Sequence, residues 1–386
     1  MIPAVSSAGD PRLAMVAGEA SGDLLASLLL AALRERWPGL TAQGIGGPKM
    51  IAQGFESGWP QSKLAVFGYV DALKHYREIA GIRRELGDRL LHERPELFIG
   101  VDAPDFNLGL EQRLKAEGLK TVHFVSPSIW AWRGGRIDKI RAAADHVLCL
   151  FPFEPEIYQR AGIAATYVGH PLADTIPLDV PRAAARASLG LGESEGVVAL
   201  LPGSRRGEVT NIGPRLLAAA VELQRSHPGV RFLLPVAPGL RELVEPLVRE
   251  HAPELPLQLL EGRSHEALAA CDLTLIASGT ATLEAALFKR PMVIVYHLHW
   301  LSHWIMKRMA YLPWVGLPNI LAREFLVPEL LQDAATPQAI AAAARTWLDD
   351  PQACERVAGR FTDLHLQLRQ GTARRATDAI AQILGR

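Results

Sequence analysis

Cysteine is scarce in this chain: Cys149, Cys271 and Cys354 are the only three among 386 residues, far apart and without a C-x-x-C pair. Such spacing argues against a disulfide framework and fits reduced, buried thiols in a cytoplasmic protein. An excess of one charge is also missing. Lys plus Arg and Asp plus Glu both number 41, which gives no general reason to expect a nucleic-acid partner, although local basic patches remain open. Long apolar runs are absent. The longest, Leu24–Leu33, is closed by Arg34, Glu35 and Arg36, whereas a bilayer span needs about 20 residues. The opening MIPAVSSAGDPR has neither the basic start nor the apolar stretch of a signal peptide. A soluble or peripheral protein is expected.

Several motifs are missing as well. No G-x-G-x-x-G follows the first strand-like run, and GIGGPKM (44–50) does not supply one, which disfavours nicotinamide chemistry. G-x-S-x-G, H-E-x-x-H, EF-hand and Walker A patterns are lacking too, removing the hydrolase-elbow, zincin and P-loop readings.

What is present is alternation. The length suits two domains of about 150–200 residues, and 49% hydrophobic with 21% charged residues can fill two cores. Strand-like runs at Leu13–Ala17, Thr41–Ile45, Leu97–Val101, Thr121–Val125, His146–Leu150 and Ala165–Val168 alternate with helix-like segments. After the proline-broken stretch 169–186, which reads as an interdomain linker, the rhythm restarts at Val197–Leu201, Arg231–Pro235, Leu257–Leu260, Leu273–Ala277 and Met292–Tyr296. Near-continuous apolar strands joined by helices indicate parallel sheets covered on both faces. The expected fold is α/β, two Rossmann-like lobes facing each other across a cleft, with C-terminal helices. The expected divisions are 1–170 for an N-terminal lobe, 171–350 for a C-terminal lobe, and 351–386 for C-terminal helices free to pack back on the N-terminal lobe.

The most informative run is CDLTLIASGTATLEAALFKRPMVIVY (271–296). A buried strand ends at a small polar turn, Ser278–Gly279–Thr280, before a short helix. Gly279 and the hydroxyls let a ligand approach the backbone, and the helix N–H groups point at it, as in a phosphate seat. Glu284 lies about one turn into that helix, out of phase for a capping box and within reach of ribose hydroxyls; the plainer reading is an acidic residue favoured by the helix dipole. Pro202–Gly203 turns the chain after another strand, and Arg205 and Arg206 follow before a helix, placed for a diphosphate or simply solvated.

In the first half, VAGEASGD (16–23) brings Glu19, Ser21 and Asp23 to the first strand-to-helix loop, where Ser21 can equally be a helix N-cap. Asp102 directly follows the strand Leu97–Val101, where a carboxylate facing a cleft can take a proton from a hydroxyl; Asp105 suits helix capping better. Trp130 and Trp132 suit stacking on sugars or anchoring a core. His299 and His303 are four apart, but no third metal ligand stands near. Trp300, Trp304, Lys307, Arg308 and Tyr311 form an aromatic and basic stripe fitting a lipid interface or interdomain packing. Asn319, in an L-P-N turn, is a candidate base or ribose contact.

These loops, in this order, resemble the lipid-A-disaccharide synthase family, inverting glycosyltransferases of the GT-B fold. The matching pieces are VAGEASGD (16–23), GIGGPKM (44–50), GVDAPDFNL (100–108), VSPSIWAW (125–132), FPFEPEIY (151–158), VGHPLAD (168–174), LLPGSR (200–205), ASGTATLEAAL (277–287) and GLPN (316–319), across about positions 16–330. The resemblance implies that UDP-2,3-diacylglucosamine and 2,3-diacylglucosamine 1-phosphate are joined into the β-1,6 lipid A disaccharide 1-phosphate, releasing UDP. It places the essential aspartate on Asp102 and nucleotide contacts on Arg205, Glu284 and Asn319. Ser278, Gly279 and Thr280 complete the expected nucleotide site, with Glu19, Ser21 and Asp105 on the acceptor side or in supporting loops. No metal and no cofactor are implied. Arg206 departs from the small residue that some relatives carry. The rival readings are a UDP-sugar 2-epimerase on the same architecture and a nucleotide-sugar binding protein without turnover.

Both implied substrates carry acyl chains, so an enzyme without a membrane span must dock at a bilayer. The segment 64–73 gathers Val66, Phe67, Val70 and Leu73, followed by Lys74, His75, Arg77, Arg83 and Arg84 as a basic fringe. A buried helix of the first lobe is the alternative. The expected location is cytoplasmic, peripheral on the cytoplasmic face of the inner membrane, with a homodimer left open.

Overall fold

The computed structural model describes residues 9–64, 69–131, 134–297 and 311–386. Val66, Phe67, Trp132, Arg133, His299, His303 and the stripe from Trp300 through Arg308 lie outside the described residues, as do the side chains of Val70 and Leu73. The chain forms two compact units, one of 1–174 with 368–386, the other of 175–367.

The first unit is built on strands β1 (Arg12–Ala17), β2 (Thr41–Gly46), β3 (Glu56–Pro60), β4 (Leu97–Val101), β5 (Thr121–Phe124), β6 (His146–Cys149) and β7 (Ala164–Tyr167), in the order β3-β2-β1-β4-β5-β6-β7. Every pairing is parallel. Successive residues of β1 serve opposite faces, as the pleat dictates. Leu13, Met15 and Ala17 pack with Leu29, Leu30 and Leu33 of helix Ala20–Arg36 and with Ile380. Ala14 and Val16 pack with Leu86, Leu90 and Leu110 on the other face. Burial on both faces explains why central strands such as β1 and β4 read as apolar runs.

The second unit repeats the plan with β8 (Val197–Leu201), β9 (Arg231–Val236), β10 (Leu257–Glu261), β11 (Leu273–Ala277), β12 (Met292–Tyr296) and β13 (Glu329–Leu331), in the order β10-β9-β8-β11-β12-β13. These pairings are parallel too. The α/β expectation of two parallel-sheet lobes with a helical C-terminus holds.

The expected linker is a built structure. It contains helices Pro171–Thr175 and Arg182–Ser188, and the boundary between the units falls inside it. Arg186 is 1% exposed. It bonds Asp272 at 2.8 Å and donates to the carbonyls of Ala270, Gly192, Glu193 and Glu195. A buried guanidinium with this many acceptors fixes the segment. The C-terminal helices divide between the units. Helix Pro351–Leu368 belongs almost wholly with the second, whereas helix Thr372–Leu384 rejoins the first, where Asp378 pairs with Arg36 at 3.0 Å. Among the described residues, no helix is long and apolar enough to cross a membrane.

Candidate active site

In an open parallel sheet, ligands bind beyond the carboxyl ends of the strands where the strand order reverses. The first sheet reverses between β1 and β4, the second between β8 and β11. The loops leaving those four strands, with the first turns of the helices that follow, hold Glu19 and Ser21, Asp102 and Asp105, Arg205, and Ser278 to Thr280.

At the first reversal the backbone is strained. Asp102 has φ 52°, Ala103 φ 43° and Val125, after β5, φ 80°. Left-handed geometry at non-glycine residues costs about 1–3 kcal/mol each, least tolerably for a β-branched side chain. Surrounding bonds enforce it: the Asp102 N–H donates to the Phe124 carbonyl at 2.8 Å, and Asn107 Nδ2 donates to the Asp102 carbonyl at 2.8 Å. Gly18 makes room, since a Cβ there would stand 2.8 Å from that of Ala103. Asp102 itself is half-buried.

The neighbouring acidic residues have separate roles. Glu19 is the N-cap residue of helix Ala20–Arg36, and its carbonyl accepts from Asp23 N–H and from Gln61 Nε2. Ser21 is therefore not the cap; it is exposed in the first turn. Asp105 lies in the first turn of helix Pro104–Ala116, whose N-cap is Ala103, and its exposed carboxylate pairs with Arg136. Asp23 is 2% exposed and takes the Gly47, Lys49 and Met50 N–H groups, each at 3.0 Å. It thereby caps helix Pro48–Ala52 and joins VAGEASGD to GIGGPKM. A Cβ at Gly47 would stand 2.3 Å from Gln61 Oε1 and 2.5 Å from Asp23 Oδ2, so a larger residue there would push these side chains out of their bonds.

Three other motif pieces meet past β5, β6 and β7. Trp130 Nε1 donates to Glu154 at 2.9 Å, and its ring stands edge-on to Phe151 and Phe153. Ser126 and Tyr158 share a 2.7 Å hydrogen bond, and His170 stacks on Phe151. Trp130 is thus an anchor of a packed cluster. Burial pushes Glu154 up to about 7 and His170 down to about 4.

The second reversal is open. A Cβ at Gly279 would meet nothing within 4 Å, and Thr280 begins helix Thr280–Leu287 exposed. The Ser278 hydroxyl donates to the Val315 carbonyl at 3.0 Å, tying the turn to the segment before Asn319. Glu284 carries a partner that sequence reasoning missed: His265 Nε2 lies 3.2 Å from its Oε2, and that bond raises the imidazole above its usual range. Arg205 is 60% exposed at the start of helix Arg206–Ser226. Glu208 turns back there and accepts the Ser204 and Arg205 N–H groups at 3.0 and 3.3 Å. Those donors are already satisfied, and the Arg205 guanidinium, 3.5 Å from Glu208 Oε1, stays exposed to solvent where an anion can reach it. Both Arg205 and Glu208 act on the Tyr296 phenol at the end of β12, which burial raises above its ordinary range.

Asn319 is 0% exposed and its amide is fully used. Nδ2 donates to the Val327 carbonyl and to Glu329, while Oδ1 accepts from the Leu326 and Val327 N–H groups, all within 2.8–3.1 Å. Glu329 also takes the Val315 and Gly316 N–H groups at 2.9 Å. The sequence pointed to direct base or ribose contact; the bonds observed for the side chain pin the loop around it.

The family model for lipid-A-disaccharide synthetase matches residues 13–384. The chain belongs to the lipid-A-disaccharide synthase family. Curated lipid-A-disaccharide synthases from Albidiferax ferrireducens and Azoarcus sp. are each 57% identical to it, covering 97% of this chain and 97% and 96% of their own lengths. Like them it is a glycosyltransferase of lipid A synthesis. Solved structures share the fold at low identity. A UDP-GlcNAc 2-epimerase from Neisseria meningitidis bound to UDP-GlcNAc has a TM-score of 0.64 at 12% identity, covering 97% of this chain and 99% of that one. Acinetobacter baumannii MurG has 0.62 at 14%, covering 96% and 99%. The lipid-A-disaccharide synthase fold seen here is thus GT-B.

Proposed function

We propose that this chain transfers a diacylglucosaminyl group from UDP-2,3-diacylglucosamine to the 6-hydroxyl of 2,3-diacylglucosamine 1-phosphate, with inversion, giving the β-1,6 disaccharide 1-phosphate and UDP. The observation carrying this reading is that Asp102, Arg205 and the Ser278–Gly279 turn sit on loops leaving the strands at the two strand-order reversals, with Glu284 one turn into the helix that follows the turn. The work divides between the units. In the first, the Asp102 carboxylate takes the acceptor hydroxyl proton as the oxygen attacks the anomeric carbon. In the second, the anomeric C–O bond breaks, and Arg205 with the N–H groups after Ser278–Thr280 meets the charge on the departing diphosphate. Glu284 takes the ribose hydroxyls, with His265 holding its second oxygen. Asn319 contributes by fixing the loop, not by touching the base.

The acyl chains of both substrates require docking at the cytoplasmic face of the inner membrane, for which Val66, Phe67, Val70 and Leu73 are proposed. Val66→Glu with Phe67→Glu should reduce liposome binding and turnover of lipid substrate while leaving UDP affinity unchanged. The transferase reading is tested by incubating the protein with UDP-diacylglucosamine with and without lipid acceptor. UDP release that depends on acceptor supports it. Epimerised UDP-sugar, or binding without turnover, would select one of the rival activities.

A further inference from the structure

Beneath the strained Asp102 loop, Asn107 uses one end of its amide and leaves the other unmade. It lies about one turn into helix Pro104–Ala116 and is 0% exposed. Its Nδ2 stands 2.8 Å from the Asp102 carbonyl, 3.3 Å from that of Val16 and 3.4 Å from that of Val101. Val16 belongs to β1 and Val101 ends β4, so this amide gathers backbone acceptors from both strands at the first reversal. Three carbonyls around that end settle its orientation, because an oxygen there would face acceptors alone. Oδ1, at the other end, is buried without a hydrogen-bond partner among the described residues. Asn319, which pins its loop in the second unit, spends both ends. An asparagine kept only for stability would do the same, since a buried unmade bond is costly.

The bond to Asp102 acts where the strain is. The Asp102 carbonyl belongs to the peptide joining Asp102 to Ala103, the two consecutive left-handed residues. That peptide is a rigid plane, so its rotation changes ψ of the first and φ of the second together. It is the motion by which both could relax to ordinary geometry. The flanking groups are held by backbone: the Asp102 N–H by the Phe124 carbonyl, and the Ala103 carbonyl by the Phe106 and Asn107 N–H groups. The Asn107 side chain holds the peptide between them. Gly100 makes room for it, since a Cβ there would crowd Glu111 Oε1 and stand 3.0 Å from the Asn107 side chain. Glu111, one helical turn further on, pairs with His123 at 2.8 Å and closes the layer.

We propose that Asn107 is a positioning residue for the proposed base: by clamping the Asp102–Ala103 peptide it keeps the left-handed turn that aims the Asp102 carboxylate at the acceptor hydroxyl. This rests on the assignment of Asp102 above. Without the clamp the peptide rotates towards ordinary geometry, and the carboxylate is present but misplaced.

A double-mutant cycle tests this. Asn107→Ala should lower acceptor-dependent kcat about 10- to 100-fold, the scale of misplacing a reacting group by about an ångström, with UDP affinity unchanged. In an Asp102→Ala background the same substitution should cost nothing further, because no carboxylate is left to place. A merely structural asparagine would exact its loss in both backgrounds. Truncating a buried amide can also unfold a protein, so Asn107→Ser is the second variant. Its hydroxyl is one bond shorter than the amide and can bond the carbonyl four residues back, that of Ala103. It should show the same pattern, with urea unfolding confirming that the variants are folded. Full kcat in either folded variant, or a loss that adds in full to that of Asp102→Ala, overturns the proposal. Unfolding of both variants would make the amide a stability element and overturns it equally. Failure of the underlying reading looks different, since the wild type would then release no UDP with acceptor, or Asp102→Ala would keep full turnover.

Discussion

At the reversal between β1 and β4 the backbone is held left-handed at Asp102 and Ala103, and Val125 beyond β5 shares that strain over a closed layer of Asn107, Glu111 and His123. At the reversal between β8 and β11 the strained positions give way to an open glycine turn, an exposed helix start and a half-exposed arginine. The same parallel-sheet topology thus carries two kinds of ground. One fixes a single carboxylate at a cost in backbone energy. The other leaves donors accessible for an anion to enter and leave. A base needs accurate placement, whereas a diphosphate seat needs access, and the difference follows what each half of the proposed reaction demands.

Substitutions should separate the two. Asp102→Ala should lower turnover by about 10²–10⁴ while UDP affinity stays near wild type; turnover close to wild type would move the base to Asp105 or Glu19. Next in size is a pH effect confined to the first unit. His170 is buried and held down at about 4, so the folded state resists protonation that the unfolded chain accepts near 6.5. Its contribution is present above about pH 6.5 and is lost as pH falls towards 4. It totals on the order of 3 kcal/mol. Urea unfolding of wild type and His170→Phe should show a stability difference that changes by that order across this window, and a difference independent of pH would refute the buried neutral imidazole. Arg205→Ala and Glu284→Ala should each weaken UDP binding by about 1–3 kcal/mol, measured by calorimetry, without moving the pH dependence of stability. The smallest expected effect is that of EDTA, which should leave turnover unchanged because Arg205 and the helix N-terminus meet the leaving charge; loss restored by a divalent ion would contradict this.

Much of this contrast was legible in the residues. Strands buried on both faces, such as Leu97–Val101 and Leu273–Ala277, announce themselves as apolar runs, and the loops after them carry Asp102 and Ser278–Thr280. The edge strands Glu56–Pro60 and Glu329–Leu331 escaped because partial exposure removes the apolar signal, and the second spans only three residues. Ser21 looked like a cap, yet the helix begins at Ala20 and Glu19 occupies that position. Partnerships across long separations were illegible. Asp23 meets the N-terminus of helix Pro48–Ala52, and His265 meets Glu284. Glu111 sits one turn after Asn107, a spacing that suggests a shared face, but its burial against His123 depends on the missing side chain of Gly100. Asn319 was correctly marked as able to donate and accept, and all that capacity is spent within its own loop.

The central claim is that one unit activates an acceptor and the other holds a UDP-sugar. The most direct test compares wild type with Asp102→Ala and Arg205→Ala, following UDP release from UDP-diacylglucosamine with and without the lipid acceptor. The account predicts acceptor-dependent release by wild type, near-complete loss of kcat in Asp102→Ala at normal UDP affinity, and weakened UDP affinity in Arg205→Ala. UDP release by wild type that ignores the acceptor, or loss of UDP binding in Asp102→Ala, would contradict it.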